Sequence, residues 1–452
     1  MVAAITSNSR AGGFASAQFG GAHGNAASDS LTSIFYNPAG LALDAGTRAY
    51  VEVMAAYRTL SYARNPGDID DPNASADAIA ADSGAAKAAN WIAAPFAAIA
   101  SDLGVHGLGV AVGVYVPFGG QAQWDQVQKW AGNQMFPGAV DGPERWSITT
   151  GSQKSIFYTA AVAYRTPDNR LSFGLGLNVI QTSLSLTRAR NADGSDDLLA
   201  PDGTVSEGRS LLDVSSLDPS LGFGIIAQLD EHTKLGISYQ SQPLGGEQKL
   251  DGTLTNKFGA TGAAAQPAEL RQRLPDSVRT AIEWQGTSTA FRALAEWTHW
   301  SVFQDQCIVA TNAPASCQFL ANGAWDSSAG GSAPLLDIPR DWKDSWSLGG
   351  GGSWWAKPSL ELSANVRIDT NAVPDATLEP ALLDANKVVG MLGARYTRGK
   401  ITIDVTIADA AYAKRTTDPR TEDPVAPSRN PDMAGIFEQN VVFALIGVGV
   451  HQ

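Results

Sequence analysis

The residues with the strongest chemistry of their own are few and scattered. Five histidines, His23, His106, His232, His299 and His451, are spread over 452 residues. None stands with a nucleophile and an acid as a catalytic unit, and none has the neighbours that a metal site needs. No catalytic residue, metal ligand set or cofactor is therefore expected, and the chain does not read as an enzyme. The two cysteines, Cys307 and Cys317, are ten residues apart, with Pro314 between them and no nearby histidine. That spacing does not fit a CxxC metal or redox motif. A loop disulfide formed in an oxidising compartment fits it; two unpaired thiols are the other reading. Arg279, Glu283, Arg292, Glu296, Glu361 and Arg367 recur on polar faces and read as a structural charge network. The alternative role is an arginine that anchors a ligand carboxylate.

The elements that carry these residues alternate with period two. Ile401, Ile403, Val405 and Ile407 interleave with Thr402, Asp404 and Thr406. Leu360, Leu362, Ala364, Val366 and Ile368 interleave with Glu361, Ser363, Asn365, Arg367 and Asp369. In an extended chain, one face is then apolar and the other carries ions and amides. A soluble sandwich buries the apolar face, whereas a transmembrane barrel turns it to lipid and the polar face to a lumen. The connections decide between the two. Short turns at 101–106, 166–170, 230–233, 286–289, 357–358 and 398–400 are built from turn residues. Long polar loops at 63–90, 119–150, 189–216, 244–269, 307–339, 371–386 and 414–435 lie between them. Six short and seven long connections join fourteen strands, and sorting by length onto two sides is how outer-membrane barrels are built. Trp297, Trp300, Trp342 and Trp346, near long loops, and Trp354 and Trp355, near a short turn, are expected at the two interfaces.

Composition agrees. Only 17% of residues are charged, 46 are glycine, and no apolar run reaches the roughly 18 residues of a membrane helix. A net charge of -13 excludes nucleic acid as a partner. Met1–Arg10 has neither the basic nor the apolar region of a signal peptide. The fold class expected is all-β: a 14-stranded antiparallel transmembrane β-barrel of the bacterial outer membrane, residues 46–452, with residues 1–45 as a plug in the lumen. Those first residues are rich in Gly, Ala, Ser and Asn but hold the apolar anchors Phe14, Phe19 and Phe35, which a free linker lacks.

Three further places invite a functional reading. Asn37-Pro38-Ala39-Gly40 is a turn that closes the N-terminal segment. In 107–117, a strand, Gly109 and Gly113 thin one face and Pro117 ends the run; a kink is expected near Gly113, and a wall kept small for packing against the plug is the alternative. In the loop 119–150, Trp124, Trp130, Met135 and Phe136 suggest a short amphipathic helix that captures a hydrophobic ligand; packing between loops is the plainer reading.

Residues 24–42, ending in Asn37-Pro38-Ala39-Gly40, resemble the hatch of the FadL/TodX family. The resemblance continues in order through Tyr115-Val116-Pro117-Phe118-Gly119, Leu274-Pro275-Asp276-Ser277-Val278, Glu296-Trp297-Thr298-His299-Trp300-Ser301, Asp341-Trp342-Lys343-Asp344-Ser345-Trp346 and Val373-Pro374-Asp375. It implies a channel for fatty acids or hydrocarbons. Ligand would be captured by loops, passed to an apolar lumen pocket and released sideways through strand three. The partners expected are a hydrophobic small molecule, outer-membrane lipid and lipopolysaccharide, and the barrel assembly machinery, with the chain a monomer. The chain ends Val448-Gly449-Val450-His451-Gln452 rather than in the aromatic residue usual for such barrels. A general diffusion porin for small polar solutes is the alternative function.

Overall fold

Period-two segments pair edge to edge until the first meets the last. In the computed structural model, which describes residues 15–16, 18–71, 74–259 and 261–452, fourteen antiparallel strands form one closed barrel. They are β1 (Arg48–Arg64), β2 (Gly84–Ser101), β3 (Leu108–Gln123), β4 (Thr150–Arg165), β5 (Leu171–Arg190) and β6 (Gly208–Gln228). Four strands follow in two pieces each: β7 (Thr233–Gln240, Gln248–Lys257), β8 (Ala264–Gln272, Ser277–Gln285), β9 (Thr289–Thr298, Asp305–Ala310) and β10 (Leu336–Pro339, Ser345–Lys357). The last are β11 (Leu360–Asp369), β12 (Lys387–Arg398), β13 (Ile401–Tyr412, with Arg415–Thr416) and β14 (Gly435–His451). β14 closes on β1 along its full length, from Arg48 opposite His451 to Arg64 opposite Gly435.

The alternation decides which way each side chain points. Val51, Val53, Ile403, Val405, Ile407, Leu392 and Ile446 stand exposed on the outer wall, while Glu52, Arg58, Arg367 and Asp404 are buried inside. The inner ions neutralise one another: Arg279 with Glu296 at 2.9 Å, Arg292 with Glu283 at 2.7 Å and Lys234 with Glu283 at 3.2 Å. Trp346 and Trp354 face outward, as an interfacial girdle requires. Trp300 and Trp342 do not; both are buried, packing against each other and Phe303.

One loop expected from sequence is mostly strand. Within 244–269, Gln248–Lys257 and Ala264–Gln272 pair in register, and the upper part of β6 joins them. Leu250, Leu254 and Leu270 fill the inside of this upper collar. Its outer face carries Lys249, Asp251 and Glu269 because a collar above the bilayer meets water on that side, so the apolar-out, polar-in contrast of the lower strands is reversed. Cys307 and Cys317 bond there, with Sγ atoms 2.00 Å apart.

Candidate functional site

Residues 18–46 run inside the barrel. A short helix, Ser33–Tyr36, passes into a 3-10 turn, Pro38–Ala42, and Asn37 is the extended residue between them. Asn37 is fully buried. Its Oδ1 accepts from Ala39 N (3.1 Å) and caps the turn, while its Nδ2 donates to Ala26 O (2.7 Å) and to the strand carbonyls of Ile225 (3.1 Å) and Ile237 (3.3 Å). Ser238 and Ser172 donate to Tyr36 O and Ala39 O at 2.6 and 2.7 Å. The backbones approach closely here. A Cβ on Gly224 would lie 1.7 Å from Asn37 Oδ1, and one on Gly174 would lie 2.1 Å from Ala39 N. Only glycine leaves the wall open enough for the segment to lie against it. On the opposite side Gly20 N donates to both carboxylate oxygens of Glu52, at 3.1 and 3.0 Å.

The apolar anchors meet the wall at one place. Phe19 packs on Phe35, Phe96 and Tyr115 with ring centroids 5.7, 5.0 and 5.8 Å apart, and Tyr115 stacks on Phe96 at 5.3 Å. Phe14 lies outside the described residues.

Just above this cluster the wall is interrupted. β2 pairs with β1 along 17 positions, from Arg48–Ala100 to Arg64–Gly84. With β3 it pairs only from Ser101–Val110 to Phe96–Tyr115. The next residue of β2 is Pro95, and β3 reaches Pro117 two residues past Tyr115. Proline has no N–H to give to a ladder. β3 also carries a bulge here: Tyr115 faces Phe157 of β4, but Phe118 faces Ser155, so three steps on β3 answer two on β4. The irregularity of β3 thus falls between Tyr115 and Phe118, and the ladder runs in register through Gly113. Gly109 and Gly113 make room for the N-terminal segment instead: a Cβ on Gly109 would lie 2.5 Å from Leu41 O, and one on Gly113 3.2 Å from the Ile34 side chain. From inside the barrel, Ala15–Ser16 pairs with Gly119 and Phe118 beside the break. Higher still, Gln123 N donates to Asn90 Oδ1 (3.2 Å) and Asp125 N to Lys87 O (2.8 Å), rejoining the two strands. Pro95 went unnoticed in the sequence, although a proline inside an alternating run marks an edge.

Two cavities lead to this break. The lower lies between Phe118, Phe157 and Ile180 on one side and Leu274, Pro275 and Trp300 on the other. The upper is lined by Arg58, Ile148, Leu184, Leu186, Arg340 and Leu382 among others. Gln153 borders both.

The sequence pattern of the OMPP1/FadL/TodX outer membrane transport proteins matches residues 2–429. The chain belongs to that family. It is therefore a protein of the bacterial outer membrane. No curated protein matches it. Among solved structures it resembles a Pseudomonas aeruginosa FadL homologue, with 17% identity and a TM-score of 0.75 over 99% of each chain. It also resembles the toluene transporters TodX of P. putida (14%, 0.64, covering 94% of each chain) and TbuX of Ralstonia pickettii (14%, 0.61, 93% of this chain and 94% of the other). At these identities the likeness is one of fold.

The long loops of this FadL/TodX-family barrel fold into a cap. Trp124 and Phe136 are buried in the cap core with Trp146, Trp300 and Trp342, which is the packing reading of that loop. Trp130 is half-buried with its ring edge-on to Phe136, and Met135 is exposed. The amphipathic helix is absent: Trp124 directly follows β3, and the loop turns only in short 3-10 segments, Gln128–Trp130, Pro137–Asp141 and Pro143–Trp146. Pro137, Gly138 and Gly142 break any longer helix. Ions lock the cap: Arg64 pairs with Asp82 (2.7 Å), and Arg145 with Asp82 (2.8 Å) and Glu207 (3.1 Å), all fully or almost fully buried.

Beside Arg145, Glu144 is buried with neither carboxylate oxygen hydrogen-bonded among the described residues. Burial pushes its carboxyl up to about 8 from an ordinary 4.5. The folded cap therefore holds a proton that the unfolded loop releases above about 4.5. Cap stability is full below that pH, falls by at most about 1.4 kcal/mol per pH unit up to about 8, and is then level. Glu144→Gln keeps the neutral shape and should flatten this dependence. Wild-type cap loops should be cut by protease far more readily at pH 9 than at pH 5, relative to the variant. An unchanged ratio between the two proteins would exclude the effect.

Proposed function

We propose that this chain carries small hydrophobic molecules, fatty acids or hydrocarbons, across the outer membrane and releases them sideways into the bilayer. The observation that carries the reading is the β2–β3 ladder ending at Phe96–Tyr115, at the aromatic cluster and beside the lower cavity. A hydrophobic solute gains about 0.8 kcal/mol per CH₂ that leaves water, so a route from an apolar cavity into lipid is downhill, and a water-filled pore offers it nothing. The solved TodX and TbuX are toluene transporters, which agrees with cargo of this kind.

In this reading ligand enters past the cap at Trp130 and Met135 and descends through the two cavities. Residues 1–45 serve as the hatch. Ala15–Ser16 occupies the break until ligand displaces it, and Pro117 with Pro95 keeps the wall from zipping shut. The test compares two solutes in cells that make the protein and lack other uptake routes. Uptake of a labelled long-chain alkane or fatty acid should rise, while liposomes that hold the purified protein should stay closed to sugars. Sugar-driven liposome swelling with no hydrophobic uptake would replace this reading with a diffusion porin.

A further inference from the structure

The wall has a second break, between β7 and β8. The lower pieces of these strands pair up to Gln240–Ser277, and the upper pieces resume at Gln248–Gln272. Between those pairs β7 has seven residues, 241–247, and β8 only four, 273–276. Among the described residues no backbone hydrogen bond joins the two stretches. Each contains a proline, Pro243 on β7 and Pro275 on β8, which has no N–H to give to a ladder. The break is confined to this seam. On the far side of β7, Ser241 N donates to Leu221 O (2.8 Å) and Leu244 N to Pro219 O (2.7 Å); on the far side of β8, His299 N donates to Asp276 O (3.0 Å). The spare residues of β7 turn at Gly245 and Gly246, with φ of 105° and 81°, and Leu244 is exposed beside them.

Both unpaired stretches border the lower cavity, through Pro243 on one and Leu274 and Pro275 on the other. Side-chain packing, with Pro243 and Leu274 buried, closes the seam in place of a ladder. The outer wall marks its level. Tyr239, Val278 and Trp346 are exposed, and with Trp297 they form one row of facing residues just below the seam. Above it the collar turns Lys249 and Asp251 to water. Aromatic residues gather where lipid meets water, so the seam lies at the head-group level of the outer leaflet.

We propose that the β7–β8 seam is a second lateral portal, through which long, water-insoluble solutes pass from the outer leaflet into the lower cavity without crossing the cap. Solutes that reach the protein through water keep the route past the cap. The proposal rests on the transport reading above and adds an entry to it: one break in the wall admits cargo from lipid, and the β2–β3 break releases it. Neither passage exposes an apolar chain to water, which is the costly step for such a solute.

The test places a removable block on the rim. The two cysteines are joined and no free thiol is present, so Leu244→Cys supplies a single reactive site. Uptake of labelled hexadecane and labelled toluene is measured in cells that lack other routes, before and after reaction with a bulky polyethylene-glycol maleimide. Modification should lower hexadecane uptake by about tenfold and leave toluene within about twofold, since each methylene forced through water adds to the barrier. The same adduct on Leu320→Cys, an exposed position in an extracellular loop, should change neither. If the Leu244→Cys thiol does not react, deletion of Leu244, Gly245 and Gly246 carries the test. It leaves four residues opposite four, lets the ladder run from Gln240–Ser277 to Gln248–Gln272, and should give the same selective loss at equal amounts of folded barrel. Unchanged hexadecane uptake, or equal loss of both solutes, would overturn the portal and leave the transport reading standing. A wild-type protein that takes up neither solute would overturn the transport reading along with it.

Discussion

Replacing Asn37 with alanine should free the N-terminal segment from the wall and let ions through the barrel. One side chain holds four contacts: the cap to Ala39 N, the bond to Ala26 O, and a donor shared between the carbonyls of Ile225 and Ile237 on β6 and β7. Alanine removes them all and takes from the buried Ala26 O and Ala39 N the partner that Asn37 gives them. Each such loss costs about 1–3 kcal/mol, which is large for a short segment whose helical pieces are only three to five residues long. The barrel should persist, since its ladder closes without the segment. Planar-bilayer recording should therefore find a quiet wild type and a conducting Asn37→Ala variant, with the variant's N-terminal segment cut faster by protease. If the variant is as silent and as resistant as the wild type, Asn37 does not hold the segment in place. The same outcome is expected from Gly224→Val, because its side chain would overlap Asn37 Oδ1, where even a Cβ would stand at 1.7 Å.

Deleting Pro117 should close the wall and lower hydrophobic uptake by about tenfold or more. β3 has one residue more than β4 between the pairs Tyr115–Phe157 and Phe118–Ser155. Removing one residue makes the two strands equal, and removing this one also takes away a position without an N–H. Tyr115 and Phe118 keep their facing partners, so the aromatic packing of Phe118 on Phe157, with centroids 5.9 Å apart, should survive. Uptake of a labelled alkane or fatty acid, compared at equal amounts of heat-modifiable folded barrel, measures the effect. Uptake equal to wild type would mean that cargo leaves by another path. Substituting Pro95 with alanine should move uptake in the same direction by less, since it restores a donor but leaves the bulge.

Much of the architecture was legible from neighbours along the chain. Period-two alternation at Leu360–Asp369 and Ile401–Ile407 settles which side chains meet lipid, because an extended chain sends successive residues to opposite faces. Turn residues and the sorting of connection lengths set the strand count at fourteen. Phe19, Phe35 and the Asn37-Pro38-Ala39-Gly40 turn were visible as apolar anchors and a stop at the end of the first segment. All of these are local, and local chemistry is what a sequence displays.

The rest depends on which strands meet and in what register. That Pro95 and Pro117 flank the same gap is a fact about two strands, and neither proline announces the other. Gly109 and Gly113 allowed either a kink or a wall kept small for packing, and the placement of Ile34 and Leu41 makes them room for packing. Trp124 and Phe136 allowed either a capture face or packing between loops, and the closed cap buries them in its core. The collar in 244–269 was hidden because its outer face meets water and loses the lipid-driven contrast. That the partner of Arg58 is an amide and not an acid was decided by the pairing of β1 with β14 across nearly the whole length of the chain. Alternation chooses a face for each residue, but closing the cylinder chooses its neighbours, and the neighbours determine what each residue does.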